Sequence, residues 1–359
     1  MSVEIYRCER LPVLQNRVYD TALEGLSSPC GDIVLVQDQM TGIVCNAAFT
    51  PELIVYDSNY HNEQALSSIF RNHLVDVTRI IERHFRGCKL VEVGCGKGYF
   101  LEQLLRSGFD IWGIDPAYDG ENPRVIKSSF GRDINLHAEG IVLRHVLEHI
   151  PNPYKFLKEL CDSNGGKGII YIEVPCLEWI ARYRAWFDIY YEHVNYFRVS
   201  DFKRLFGRIL EFGWLFGNQY VYTVADLASL RDIQELPEAP PFVLPVDFTA
   251  SIDLFAKFIR DRSVPTIVWG ASSKGVVFSL QMMRADAIIN FVVDINPAKQ
   301  GRYLPGSGLR IHSPTEVLEQ VTNGDVYVMN SNYLPEIRSI TGNRFNYVEV
   351  DKWTFMKRC

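Results

Sequence analysis

The stretch KLVEVGCGKGYFLEQLL, residues 89–105, decides the fold of this chain. It opens as an apolar strand carrying one acid, Glu92, and ends at Val93. Gly94, Gly96 and Gly98 then make a turn before a helix that begins near Tyr99. Glycine lacks Cβ, so such a turn can take positive φ and bring its backbone close to a ligand. Asp115 closes the next strand in IWGIDP, residues 111–116, 21 residues after Gly94. A carboxylate at the carboxyl edge of a sheet is suited to accept both hydroxyls of a ribose, which makes this an adenosine-cofactor arrangement.

Outward from this turn the order is strand 89–93, helix 98–107, strand 110–114, strand 140–143, helix 153–160 and strand 168–174. That alternation predicts a mostly parallel sheet with crossover helices, and so an α/β fold. Upstream, Ile69, Leu74, Val77, Ile80 and Ile81 recur at helical spacing and predict an amphipathic helix leading into the unit. GDIVLVQD and GIVCNAAF before it read as short strands of a small N-terminal module, residues 1–68, and the unit itself spans 69–234. ELPEAPPFVLPVD, residues 235–247, has four prolines between 237 and 247 and begins a linker with a helix, 235–262.

Strand, glycine turn and helix return in TIVWGASSKGVVFSLQMM, residues 266–283, which predicts a second Rossmann-like domain over 263–359. Gly270 and Gly275 lie in the turn, and Asp294 ends the next strand in FVVDINPAKQGRYLPGSG. Val276 and Val277 stand where a P-loop has Lys and Ser/Thr, so no Mg-nucleotide hydrolysis is implied. From the residues alone this unit either binds a nucleotide moiety or merely packs.

The chain has 359 residues, enough for two or three domains. Its 47% hydrophobic and 22% charged residues are ordinary for a globular protein. The net charge of −6 and the absence of any Lys/Arg block disfavour a nucleic-acid partner. No window approaches the 18 apolar residues of a membrane span, and MSVEIYRCERLPVLQN lacks the layout of a signal peptide, which points to the cytoplasm. Eight cysteines are scattered with no C-x-x-C and read as reduced thiols.

Dinucleotide enzymes use G-x-G-x-x-G to admit a pyrophosphate, whereas the first turn here is G-x-G-x-G preceded by Glu92. With Asp115 and the later RHVLEHIPNP, residues 144–153, it resembles the class I S-adenosylmethionine methyltransferases. The resemblance implies S-adenosylmethionine held by Glu92, Gly94, Cys95, Gly96, Gly98, Asp115, Pro116, Arg144 and His145. Glu148 and His149 are read as structural groups near a helix terminus.

WFDIYYEHVNYF, residues 186–197, sets one Glu and one His among aromatics. Taken alone it reads as packed core. Its Y-x-E-H run, with WGASSKG and VVDINPAKQGRYLPG, resembles the three-part sugar C-methyltransferase family that acts on nucleotide-linked keto-deoxysugars. That resemblance implies His193 as the base that removes a proton beside a ketone, with Glu192 and Tyr190 supporting it. It also implies Tyr60, or as second choice Tyr56, at the entrance, and Asn195, Gly270, Lys274 and Asp294 on the substrate. A histidine suits the task because its ordinary pKa leaves it largely neutral at pH 7. The alternative reading has His193 deprotonating a hydroxyl or amine for O- or N-methylation; a non-catalytic nucleotide-sugar binder is a third.

The family's N-terminal module holds zinc through paired C-x-x-C motifs. Here Leu11 stands where the partner of Cys8 should be, and Cys30 and Cys45 are likewise unpaired, so no metal is expected. The partner is a small molecule and the chain a monomer or homodimer. Locally, a short helix is expected in CLEWIARYRAWF and another at DFKRLFGRIL with Ser200 as its N-cap. Residues 190–196 then fall between helices, over the cofactor end of the sheet; as a regular strand they would send Glu192 and His193 to opposite faces.

Overall fold

The computed structural model describes residues 3–56, 59–131 and 137–352, so Cys359 lies outside the described residues. The glycine turn opens a seven-stranded sheet. Numbered in chain order (Lys89–Val93, Asp110–Ile114, Val125–Ile126, Gly140–Arg144, Ile169–Pro175, Ile209–Leu215, Tyr220–Asp226), its strands lie in the order 3-2-1-4-5-7-6. The first five are parallel to one another, and Tyr220–Asp226 runs antiparallel to Ile169–Pro175. The order reverses between Lys89–Val93 and Gly140–Arg144. Such a switch point leaves a crevice at the carboxyl ends of its strands, where α/β proteins bind ligands.

The helix Ser68–Phe85 packs on this sheet through Phe70, Leu74, Val77, Ile80, Ile81 and Phe85, with His73 buried on the same stripe. The DFKRLFGRIL helix is shorter and begins earlier than the sequence suggests. It spans Val199–Leu205, and Asp201, rather than Ser200, braces its start by accepting from the Arg198 N–H at 2.8 Å. Phe206 takes an extended conformation and ends it. The chain from Ile209 forms the outer arm of a hairpin, which a helical reading of RIL misses.

The N-terminal module is an antiparallel sheet in the order Glu4–Pro12, Cys30–Gln37, Val44–Asn46, Asn195–Tyr196. Its fourth strand comes from the aromatic run, so the module grips the segment that carries Glu192 and His193. Glu4–Pro12 escapes a reading by periodicity because its pairing slips between Cys8 and Leu11, where Arg10 adopts φ 52°. A bulge of this kind breaks the alternation of faces. One apolar core runs from Leu11, Ile33 and Leu35 through Tyr191 and Phe197 to Phe255 and Phe278.

The C-terminal sheet is all parallel. In chain order its strands (Thr266–Trp269, Phe291–Val293, Ile311–His312, Asp325–Val328, Asn346–Glu349) lie 3-2-1-4-5. The helix Ser273–Arg284 sits directly on the Gly270 turn: a Cβ on Gly275 would lie 1.8 Å from the Gly270 carbonyl oxygen. The helix Ser251–Asp261 within the linker joins this domain to the aromatic run, since Trp186 Nε1 donates to Ser251 Oγ at 2.8 Å and its ring stacks on Phe278. Among the described residues no helix is long and apolar enough to cross a membrane.

Candidate active site

The carboxyl ends of the parallel strands in the seven-stranded and C-terminal sheets face each other across a cavity of about 280 Å³. One side supplies His145, Glu148, His149 and Pro175; the other supplies Gly270, Ser272, Lys274 and Asp294. Asn16 and Tyr60 come from the N-terminal module, and the aromatic run contributes Tyr190, Glu192 and His193. Seven separate segments, around residues 16, 60, 145–149, 175, 190–193, 270–274 and 294, therefore meet.

Residues 190–193 form a turn, in which the His193 N–H reaches the Tyr190 carbonyl at 3.2 Å. The turn, unlike a strand, lets both Glu192 and His193 address the cavity. Tyr190 Oη and His193 Nε2 are 2.8 Å apart, and their ring centroids 4.0 Å. His193 is 5% exposed, and its Nδ1 has no hydrogen-bond partner among the described residues. Burial holds the imidazole pKa well below its ordinary value, helped electrostatically by the neighbouring His149, His145 and Lys274. Glu192 Oε2 accepts from the Gln15 N–H at 2.9 Å. Burial raises the Glu192 carboxyl, against the pull of His149 and of a hydrogen bond from Tyr60. Tyr190 is likewise raised, by burial and by the carboxylates of Asp188 and Glu192, and keeps its proton.

Beneath this turn, Glu148 is fully buried and with His149 lines the cavity. The His149 ring stands 4.9 Å from that of His193, with its Nδ1 2.9 Å from the Glu192 carbonyl oxygen. Glu148 Oε1 lies 3.2 Å from His145 Nδ1. His145 adopts φ 53°, a left-handed conformation that a non-glycine residue holds only when its surroundings dictate it. Glu173 dictates it: its carbonyl receives the His145 N–H at 2.9 Å, and its carboxylate lies 3.2 Å from Nε2. Burial would lower the His145 pKa, but Glu148 and Glu173 outweigh it and raise it to about 9.

In the first glycine turn, Gly94, Gly96 and Gly98 all have positive φ. A Cβ on Gly94 would lie 2.4 Å from Val146, whereas one on Gly96 would meet open space. Asp115 braces the turn, accepting from Gly96 N at 2.8 Å and from Ala117 N at 2.8 Å, with Pro116 exposed between them. Glu92 is buried beneath, with Oε2 unpartnered among the described residues. Burial pushes its pKa up to about 7, against the pull of Arg144. An open glycine backbone beside one free and one bracing carboxylate fits a cationic adenosine cofactor that has no phosphate. Lys97 of the turn pairs with Glu63 at 2.5 Å, and Glu63 accepts from Asn296 at 3.1 Å, which ties the turn to the far wall of the cavity.

Asn195, Arg144 and Cys95, like the glycine turn with Glu92, Asp115 and Pro116, are not among the residues that line the cavity. Asn195 lies outside the cavity and gives its amide hydrogens to the Leu147 and Ile150 carbonyls, at 3.1 and 2.6 Å. Arg144 lies under the turn, paired with Glu173 at 3.3 Å and over the Phe100 ring. The Cys95 side chain lies over Gly113, where a Cβ would come within 2.7 Å of its Sγ, which leaves its backbone to form the turn. Tyr56 stands against Tyr60 with ring centroids 4.8 Å apart. On the C-terminal side, Lys274 pairs with Asp188 at 3.0 Å, and Asp294 accepts from Ala271 N at 2.8 Å. Lys299 was not foreseen; it is buried, donating to Ser272 Oγ at 2.8 Å and to Asn16 and the Ala271 carbonyl at 3.1 Å each.

A family model for a methyltransferase domain matches residues 58–209, and one for a C-methyltransferase C-terminal domain matches residues 251–343. The chain is similar to the C-methyltransferase NovU of Streptomyces niveus, with 25% identity over 291 residues, 70% of this chain and 68% of that one. Among solved structures it resembles the PH0226 protein of Pyrococcus horikoshii at 14% identity and a TM-score of 0.39, covering 48% of this chain and 99% of that one. It also resembles the 1,6-didemethyltoxoflavin-N1-methyltransferase of Burkholderia thailandensis, determined with S-adenosylhomocysteine, at 11% identity and a TM-score of 0.33, covering 51% and 95%.

Proposed function

We propose that the chain, an S-adenosylmethionine-dependent methyltransferase similar to C-methyltransferases, methylates the carbon beside the ketone of a nucleotide-linked keto-deoxysugar, with His193 as the base. The observation that carries this reading is the neutral His193 imidazole, its Nε2 engaged by Tyr190 and its Nδ1 bare inside a buried cavity. S-adenosylmethionine is the cofactor, held by the Gly94–Gly98 turn with Asp115 and Glu92. When bound, it supplies an electrophilic methyl group.

The work left to the chain is to make a carbon nucleophile and keep water from it. His193 Nδ1 takes the proton from the C–H next to the ketone, and the electron pair of that bond becomes the nucleophile. Tyr190 holds the ring in one orientation, and Glu192, anchored by Gln15, fixes the turn that carries it. Positioned general-base catalysis of this kind contributes roughly 10²- to 10⁴-fold. With the cofactor bound, the aromatic wall limits the water that would otherwise reprotonate the carbanion; without it, solvent reaches the site. Across the cavity, the open Gly270 turn, Ser272, Ser273 and buried Lys299 sit at the N-terminus of a helix, a favourable setting for the pyrophosphate of a sugar nucleotide.

Incubating the enzyme with a keto-sugar nucleotide in D₂O without cofactor should wash out the proton α to the ketone, read by ¹H NMR. An intact α-proton, in an enzyme that still methylates with cofactor, would overturn proton removal by His193 and favour oxygen or nitrogen as the acceptor. On the cofactor side, Asp115→Ala removes the acceptor that braces Gly96 and faces the expected ribose. Hydrogen bonds to a charged group are each worth about 1.5–3 kcal/mol. Calorimetric affinity for S-adenosylhomocysteine should therefore fall roughly 10- to 100-fold. An unchanged Kd would move the cofactor away from this turn.

A further inference from the structure

We propose that Glu148, His149 and His193 form a binding site for one divalent first-row transition metal, represented by Zn²⁺, and that its occupancy blocks proton transfer at His193. The metal site stands on its own geometry; the blockade rests on the reading of His193 as the base.

One donor atom from each of the three residues lies within 4.8 Å of the others. In every case the residue's second polar atom is already engaged. Glu148 Oε1 lies 3.2 Å from His145 Nδ1, while Oε2 has no partner among the described residues although Glu148 is fully buried. His149 Nδ1–H donates to the Glu192 carbonyl at 2.9 Å, a tautomer that leaves a lone pair on Nε2. His193 Nε2 is held by Tyr190 Oη at 2.8 Å, and its buried Nδ1 is unpartnered. Metal-binding histidines are oriented in this way, one ring nitrogen tied to a carbonyl, hydroxyl or carboxylate and the other free for the ion.

Two imidazoles and one carboxylate are a donor set for zinc, cobalt or iron rather than for the all-oxygen preference of Ca²⁺ and Mg²⁺. Ligands about 2.0–2.2 Å from a tetrahedral ion stand about 3.4 Å apart, so atoms at the 4.8 Å limit need to close by about 1.4 Å. The two turns that carry the ligands are pinned to each other, with the Val194 N–H donating to the Glu148 carbonyl at 2.7 Å. Three protein ligands leave a coordination position toward the cavity, as in catalytic rather than structural zinc sites. An ion there takes the His193 Nδ1 lone pair that the C–H proton needs.

The test uses the full chain stripped with EDTA and titrated with Co²⁺. One equivalent should bind with the intense visible absorption of a four- or five-coordinate ion, and Zn²⁺ should displace it, its affinity measured against a chromophoric chelator. Glu148→Gln and His149→Ala, each checked for folding by circular dichroism, should lose the spectrum and weaken Zn²⁺ binding by about 100-fold or more. His84→Ala, which alters a histidine bonded to Glu211 away from the cavity, should change neither. No stoichiometric binding, or binding that survives both ligand variants, overturns the site. Zn²⁺ should also stop α-proton exchange over the concentration range in which it binds, reversibly with EDTA. Stoichiometric binding that leaves exchange at its full rate overturns the blockade. Because the cobalt spectrum needs no turnover, failure of the metal site and failure of the base assignment are separate results.

Discussion

Replacing His193 with alanine should lower kcat roughly 10²- to 10⁴-fold, with affinity for S-adenosylhomocysteine within about twofold of the parent. The separation is expected because His193 sits in the Tyr190 turn, whereas the cofactor turn is braced by Asp115 on another strand. Alanine also removes a buried ring that touches Tyr190 and His149, so some stability is lost with it. His193→Gln separates the two effects, since it retains much of the volume and a hydrogen-bonding group for Tyr190 but has no basic nitrogen. Both variants should lose α-proton exchange in D₂O. If the glutamine variant exchanges at the parent rate, His193 is not the base, and the nearest imidazole, His149, becomes the group to test.

Much of this site was legible because its signals are local. The Gly94–Gly98 turn, Glu92 and Asp115 lie on adjacent parallel strands, so spacing alone locates them at one edge. The Gly270 turn repeats that logic. Long-range pairing was not legible. Glu4–Pro12 is bulged at its Leu11 end and loses its alternation, and Asn195–Tyr196 becomes a strand only by pairing with Val44 and Cys45. The same strand explains why Asn195 was misread: the polar residue beside a functional run serves two backbone carbonyls instead. Glu148 and His149 were undervalued because burial of a charged residue near a helix terminus has no periodic signature. The repeated histidines of HVLEH were the available hint. Lys299 lies in VVDINPAKQGRYLPG, a stretch that carries the family resemblance, but no spacing within it marks the lysine.

Glu173→Ala should destabilise the protein by about 3–5 kcal/mol, the cost of leaving a buried charge without its partner. Glu173 is fully buried on Ile169–Pro175 and is shared by three hydrogen-bond donors and one ion-paired histidine. Its carboxylate receives His73 Nε2 at 2.7 Å, the Tyr171 hydroxyl at 2.7 Å and Arg144 Nε at 3.3 Å, with His145 Nε2 3.2 Å away. Burial alone would raise its pKa, but Arg144 and the two histidines hold it well below the usual carboxylate range, so it is an anion at any working pH. Without it, Glu92 is the carboxylate left to Arg144 among the described residues. His145 at the same time loses one of the two carboxylates that hold its charge and its left-handed backbone. The thermal midpoint should fall by about 5–10 °C. Glu173→Gln retains the volume and some acceptor capacity but not the charge, and should lie between the alanine variant and the parent. A loss below about 1 kcal/mol for alanine, the level of an exposed ion pair, would mean that water reaches Arg144 and His145, and that the floor beneath Glu148 and His149 is not the dry, charge-balanced layer on which their positions depend.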